Sequence, residues 1–150
     1  MAATRARNPV RIARMDHIVL RVRDAARMVR FYRQVLGCAV AHRQKKLGLI
    51  HLSAGDQMID LITLDGPLGR MGGAGPRKKS GRNMDHFALR LARFDEAALR
   101  KHLARFGIDM AAPQPRFGAE GDGPSVYIDD PEGNVIELKG PAEKRRGTRH

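Results

Sequence analysis

The chain is poor in the residues that several function classes depend on. It has one cysteine, Cys38, so an intrachain disulfide is excluded and a reducing compartment, the cytoplasm, is the expectation. It has no tryptophan and an aromatic content of 5%, too little for the stacking platforms of single-strand binders. No apolar run approaches the roughly 20 residues that span a bilayer, and the arginine-rich N-terminus lacks the apolar stretch of a secretory signal. No membrane association is expected. Negative charge is also scarce: 28 Lys and Arg face 16 Asp and Glu, a formal charge of +12. The excess lies mainly outside the patterned segments. Arg5, Arg7, Arg11 and Arg14 precede the first strand, Lys144, Arg145, Arg146 and Arg149 follow the last, and Arg77, Lys78, Lys79 and Arg82 sit in a connector. Charge so placed is solvated and binds polyanions weakly at low salt, so no specific nucleic-acid partner is expected.

What is present is a repeat. Met15-Asp16-His17 opens one segment and Met84-Asp85-His86 opens another, 69 residues later. Ile18-Val19-Leu20-Arg21-Val22 parallels Phe87-Ala88-Leu89-Arg90-Leu91, each an alternating strand. Asp24 caps a helix with Met28, Phe31, Tyr32 and Val35 on one face and Gly37 at its end. Asp95 does the same for Leu99, Leu103 and Phe106, with Gly107 as the stop. Each half then runs through short strands, closing on Gln57-Met58-Ile59-Asp60-Leu61 in the first and Asn134-Val135-Ile136-Glu137-Leu138 in the second. The pattern predicts an α+β fold of two tandem βαβββ modules. One domain spans about 14–141, with module 1 at about 14–67, a glycine-rich linker at about 68–82, module 2 at about 83–141, and basic tails at 1–13 and 142–150. The connector from Asp65 to Asn83 holds six glycines and two prolines, the composition of a linker or a mobile functional loop. It lacks the Gly before Lys-Ser that a phosphate loop needs.

Strand alternation assigns the faces. Ile18, Leu20 and Val22 pack under the first helix, leaving His17, Val19 and Arg21 on the opposite face; Phe87, Leu89 and Leu91 likewise leave His86, Ala88 and Arg90. In the last strand Ile136 and Leu138 leave Val135, Glu137 and Lys139 outside the core. Two such sheets facing each other form a cup in which His17, His86 and Glu137 converge. Two imidazoles and a carboxylate with open positions are the facial triad of Fe(II) enzymes, and they suit Zn²⁺, Ni²⁺, Co²⁺ or Mn²⁺ equally. His42, His51 and His102 have no repeat partner of their own kind, and His150 lies in the tail.

These residues resemble the vicinal oxygen chelate superfamily, the glyoxalase, bleomycin-resistance and dioxygenase fold. The resemblance runs from about Arg14 to Pro141. It is carried by Met15-Asp16-His17-Ile18-Val19-Leu20, Phe31-Tyr32-Arg33-Gln34-Val35-Leu36-Gly37, Met84-Asp85-His86-Phe87-Ala88-Leu89, and the stretch Tyr127-Ile128-Asp129-Asp130-Pro131-Glu132-Gly133-Asn134-Val135-Ile136-Glu137-Leu138. It implies a cup of paired modules, a divalent metal on His17, His86 and Glu137, a small-molecule substrate that offers the metal adjacent oxygens, and a homodimer with sites inside one chain or shared between two. Resemblance to glyoxalase I implies a fourth acidic ligand at the position of Asp60. Aspartate is shorter than the usual glutamate, so Asp60 is a ligand, a base, a holder of metal-bound water, or a solvated strand residue. In this reading Glu137 or Asp60 moves a proton beside a metal-polarised carbonyl, as in a lyase or isomerase of glyoxalase type.

Two further branches share parts of the pattern. Extradiol dioxygenases share Tyr127 and the turn before Glu137, but their histidine ahead of that tyrosine is missing from Phe117-Gly118-Ala119-Glu120-Gly121. Fosfomycin-resistance proteins resemble Glu120-Gly121 through Ser125-Val126-Tyr127, with extra residues between Gly and Ser, and Arg90 is a candidate anion contact. Tyr127 recurs in both and is expected to touch substrate. A metal-free drug-binding protein of the bleomycin-resistance kind is the rival class; a charge of +12 disfavours its cationic ligand.

Overall fold

In the computed structural model, residues 9–78 and 80–143 are described. Arg5, Arg7, Lys79, Lys144, Arg145, Arg146, Arg149 and His150 lie outside the described residues. The first half runs β1 (His17–Val22), α1 (Ala25–Gln34), β2 (Ala39–Gln44), a 3₁₀ turn, β3 (Leu49–Ala54) and β4 (Gln57–Thr63). A short helix α2 (Pro67–Arg70) starts the connector. The second half runs β5 (Phe87–Arg90), α3 (Glu96–Ala104), β6 (Gln114–Gly118), β7 (Gly121–Asp129) and β8 (Val135–Lys139). The two sheets have the same order, β1-β4-β3-β2 and β5-β8-β7-β6, with the first and last strands of each half parallel. These are the two predicted βαβββ modules, and the fold class is α+β. No strand pairing joins the two sheets among the described residues.

The helix signals act as their chemistry requires. Asp24 accepts from the Arg27 N–H at 3.0 Å and Asp95 from the Ala98 N–H at 3.1 Å, satisfying donors that the first turn leaves free. Gly37 and Gly107 leave the helices with φ of +72° and +71°. Leu20, Val22, Met28, Tyr32, Leu52, Ile59 and Leu61 form one buried cluster with Leu103, Val126, Ile128, Ile136 and Leu138, so a single core spans both modules. The predicted face of the second helix needs one correction. Phe106 is 41% exposed, and Met110 and Ile108, beyond the helix, supply the packing instead.

Polar contacts tie the modules together on their helical sides. The buried Tyr32 hydroxyl donates to Asp130 Oδ2 at 2.8 Å, and burial, with Asp130 beside it, pushes that phenol far above its ordinary range. Glu132 accepts from the backbone N–H groups of Arg23 and Asp24 at 2.7–2.9 Å, and His102 on α3 meets the Val35 carbonyl at 2.8 Å. The connector is strapped down by side chains rather than free. Arg21 donates to the carbonyls of Gly69 and Gly73, Arg23 to Pro76, and Arg82 to Lys78 and Glu132.

Candidate functional site

Each module carries a histidine prepared for a further partner. His17 begins β1, and its Nδ1 lies 2.7 Å from Asp16 Oδ2; His86, just ahead of β5, stands 2.6 Å from Asp85 Oδ2 in the same way. A carboxylate only accepts, so it fixes the proton on Nδ1 and turns the Nε2 lone pair outward. That is the carboxylate–histidine arrangement which orients imidazoles at metal centres. The bond to Asp16, with Asp60 adding to it, raises the pKa of His17, so a metal at Nε2 competes with a proton as pH falls.

In the second module these groups meet in a cavity of about 430 Å³ lined by His86, Arg116, Tyr127, Glu137 and Lys139 among others. Glu137 is buried, and its Oε1 accepts from the Tyr127 hydroxyl at 2.7 Å. Its Oε2 takes no hydrogen bond among the described residues. Tyr127 sets its ring edge against His86, centroids 5.4 Å apart at 90°, and its pKa is raised chiefly by the bond to Glu137, with Arg116 opposing. Arg90 is already engaged, paired with Glu120 at 2.8 and 3.2 Å. The cations left facing the cavity are therefore Arg116 and Lys139.

Lys139 is buried because the sheet makes room for it. Its Nζ donates to the Arg116 carbonyl at 2.7 Å, which carries the chain across β7 to β6. A Cβ on Gly118 would stand 2.5 Å from Lys139 Cε, and one on Gly123 would stand 3.0 Å from Nζ. Ser125, opposite Lys139 in the register, keeps a buried hydroxyl with no partner among the described residues.

In the first module Asp60 is buried, its side chain only 6% exposed, and lies between two imidazoles. Its Oδ1 is 2.9 Å from His51 Nδ1, and its Oδ2 is 4.0 Å from His17 Nε2. His51 has no repeat partner of its own kind, because its counterpart in the second module, Tyr127, is a different residue type. A signal for it exists. The two-residue turn Gly55-Asp56 pairs Ala54 with Gln57, and counting outward along the hairpin pairs His51 with Asp60.

The donor types fit a divalent metal: two oriented imidazoles and a buried carboxylate with a free oxygen. Their placement within one chain does not complete a ligand set. Among the described residues no three His, Cys, Asp or Glu side chains are grouped closely enough to hold an ion. His86 and Glu137 share one cavity, whereas His17 stands with Asp60 in the other module. A grouping of all three inside one chain is not found among the described residues. Hydrogen bonds between the modules involve α1, α3 and the turn before β8, and the side chains of His17 and His86 are 47% and 34% exposed.

Comparison with known proteins agrees with this architecture. Residues 14–138 match the family model of the Glyoxalase/Bleomycin resistance protein/Dioxygenase superfamily. The virulence protein STM3117 of Salmonella typhimurium is 32% identical over 133 residues, covering 85% of this chain and 83% of that protein. Its crystal structure superposes with a TM-score of 0.68 at 29% identity over 89% of this chain and all of that one. An integron cassette protein of V. cholerae gives a TM-score of 0.65 at 29% identity, covering 87% and 97% of the two chains. The fosfomycin resistance protein FosX of Listeria monocytogenes shares the fold at 18% identity and a TM-score of 0.62, covering 88% and 96%.

Proposed function

The chain belongs to the glyoxalase, bleomycin resistance protein and dioxygenase superfamily, and from that membership we propose that it is a metal-dependent enzyme of glyoxalase type. His17, His86 and Glu137 are the ligands, and the substrate is a small molecule offering adjacent oxygens. The observation that carries this reading is the repeated Asp–His pair, 2.7 Å apart in one module and 2.6 Å in the other, each leaving Nε2 free on the non-core side. The bound metal supplies Lewis-acid polarisation of a substrate oxygen. Tyr127 holds Glu137 in place by its 2.7 Å hydrogen bond, and Arg116 and Lys139 attract a substrate that carries negative charge.

Because no three such side chains are grouped in one chain among the described residues, the site is assembled in a homodimer, His17 of one copy meeting His86 and Glu137 of the other. Complementation tests the arrangement. His17→Ala and His86→Ala each lose metal as homodimers. Mixed as heterodimers they regain one ion per dimer, since one of the two shared sites then keeps all three ligands. Absence of metal in the wild-type protein after reconstitution with Ni²⁺, Co²⁺, Zn²⁺, Fe²⁺ and Mn²⁺ refutes the reading. Failure of the mixture to regain metal refutes the shared site alone. Turnover of methylglyoxal with a thiol is the expected activity.

A second reading, an enzyme acting on fosfomycin, is favoured by Arg116 and Lys139 beside Glu137, since fosfomycin is a phosphonate anion. Turnover of fosfomycin with none of methylglyoxal decides for it. A dioxygenase is the weaker alternative, tested by catechol turnover with Fe²⁺.

A further inference from the structure

The register of the first sheet sets Val19, Asp60, His51 and His42 side by side on β1, β4, β3 and β2. The matching row of the second sheet is Ala88, Glu137 and Tyr127. His51 therefore occupies the place of Tyr127. Each stands on the strand next to the acid and bonds its carboxylate, at 2.9 Å in one module and 2.7 Å in the other. The substitution of imidazole for phenol changes what the position can do, because an imidazole takes and gives a proton near neutral pH and a phenol does not.

Two contacts select one tautomer of His51. Asp60 Oδ1 only accepts, which places the proton on Nδ1. On the other side Nε2 lies 2.9 Å from the amide nitrogen of Gln44, a donor that requires a lone pair. The result is a buried carboxylate behind an imidazole whose basic nitrogen meets the Gln44 amide, the arrangement in which an imidazole accepts a proton while its new charge is balanced. Asp60, by contrast, is poorly placed as a metal ligand. Two donors each about 2.1 Å from one ion are at most about 4.2 Å apart, so the 4.0 Å between Asp60 Oδ2 and His17 Nε2 would open the angle at the ion to about 145°, well beyond the tetrahedral value.

Building on the metal-site reading above, we propose that His51 is the proton-transfer residue of the first module and Asp60 its positioning residue. His51 Nε2 takes a proton from the carbon beside the substrate carbonyl while the C–H electron pair stays with the substrate. It returns that proton to the adjacent carbonyl carbon while a hydroxyl proton passes from one oxygen to the other, so the first carbon is oxidised and its neighbour reduced by the same electron pair, and no external oxidant, reductant or co-reactant enters. Gln44 covers Nε2 until substrate displaces its amide. The titratable groups facing His51 are Asp60 from β4, His42 from β2, its ring 5.8 Å away, and His17 from β1 beyond Asp60.

The test has two arms, both on the full chain. Nitrogen-15 spectra of histidine-labelled protein without metal should show His51 protonated on Nδ1 and bare on Nε2 at neutral pH, a preference that Asp60→Asn weakens. An Nε2–H tautomer overturns the proposal whether or not the protein binds metal. With Ni²⁺ loaded and methylglyoxal plus thiol as substrate, His51→Gln should lower kcat about 10²- to 10³-fold. It should leave metal content at the wild-type value. Retention of wild-type turnover in His51→Gln overturns it. A wild-type protein with neither metal nor turnover refutes the proposed function, and the spectra then decide on His51.

Discussion

Replacing Tyr32 by Phe removes one atom from the junction between the modules. The hydroxyl is buried and donates at 2.8 Å to Asp130 Oδ2. A hydrogen bond to a charged group contributes roughly 1.5–3 kcal/mol. Asp130 keeps the backbone N–H groups of Glu132 and Asn134 on Oδ1 and the Asn134 amide on Oδ2, so its charge is not orphaned. That places the expected loss at about 2 kcal/mol, or roughly 4–8 °C in Tm for a chain of this length. Alkaline titration adds a second measurement with a defined sign. The folded Tyr32 phenol has a raised pKa, from burial first and Asp130 second, while the unfolded phenol ionises near pH 10. The folded state therefore keeps its full advantage below about pH 10 and loses up to about 1.4 kcal/mol per pH unit above it. The Phe variant has no such phenol, and Tyr127 is common to both proteins. Its deficit in urea unfolding should thus shrink between pH 7 and pH 11. A deficit below about 0.5 kcal/mol at pH 7, or one that does not change with pH, refutes the account of this junction.

Tyr127→Phe takes the donor from Glu137 Oε1 and should weaken metal binding about 10- to 100-fold, measured by competition with a chromogenic chelator; unchanged affinity would place Glu137 outside the metal site. Gly123→Ala sets a methyl 2.6 Å from the Pro141 carbonyl and 3.0 Å from the Gly140 carbonyl and Lys139 Nζ. It should cost about 1–3 kcal/mol by overpacking, read by thermal unfolding, and a neutral effect would mean that the Lys139 groove is not close-packed. Glu132→Ala leaves the Arg23 and Asp24 N–H groups without their partner and should lower stability by about 1–3 kcal/mol, most simply followed as amide exchange at those two positions.

The strands, helix caps and module repeat were legible in the chain because each depends on local chemistry. An alternating row buries one face, an aspartate frees itself to cap, and a glycine leaves a helix with positive φ. The pairing of Glu137 with Tyr127 was legible only in part. Tyr127 is expected to touch substrate, and the register also lays its hydroxyl on the acid directly opposite. Phe106 kept helical spacing but lies past the last packed turn, so tertiary contacts passed its place to Met110. The connector reads as loose by composition, yet Arg21 and Arg23 from the first module hold its carbonyls, and its own Arg82 reaches the Glu132 carbonyl.

The sequence by itself determined that two βαβββ units exist and that His17, His86 and Glu137 leave the core, since periodicity and repeat are properties of the chain. Only the tertiary structure decided how those residues are grouped. Tyr32, Asp130, Glu132 and His102 join the modules by hydrogen bonds, the described residues of one chain hold no complete group of three ligands, and the β3–β4 register brings His51 to Asp60. Distances between segments far apart in sequence follow from side-chain packing, and no local pattern encodes them.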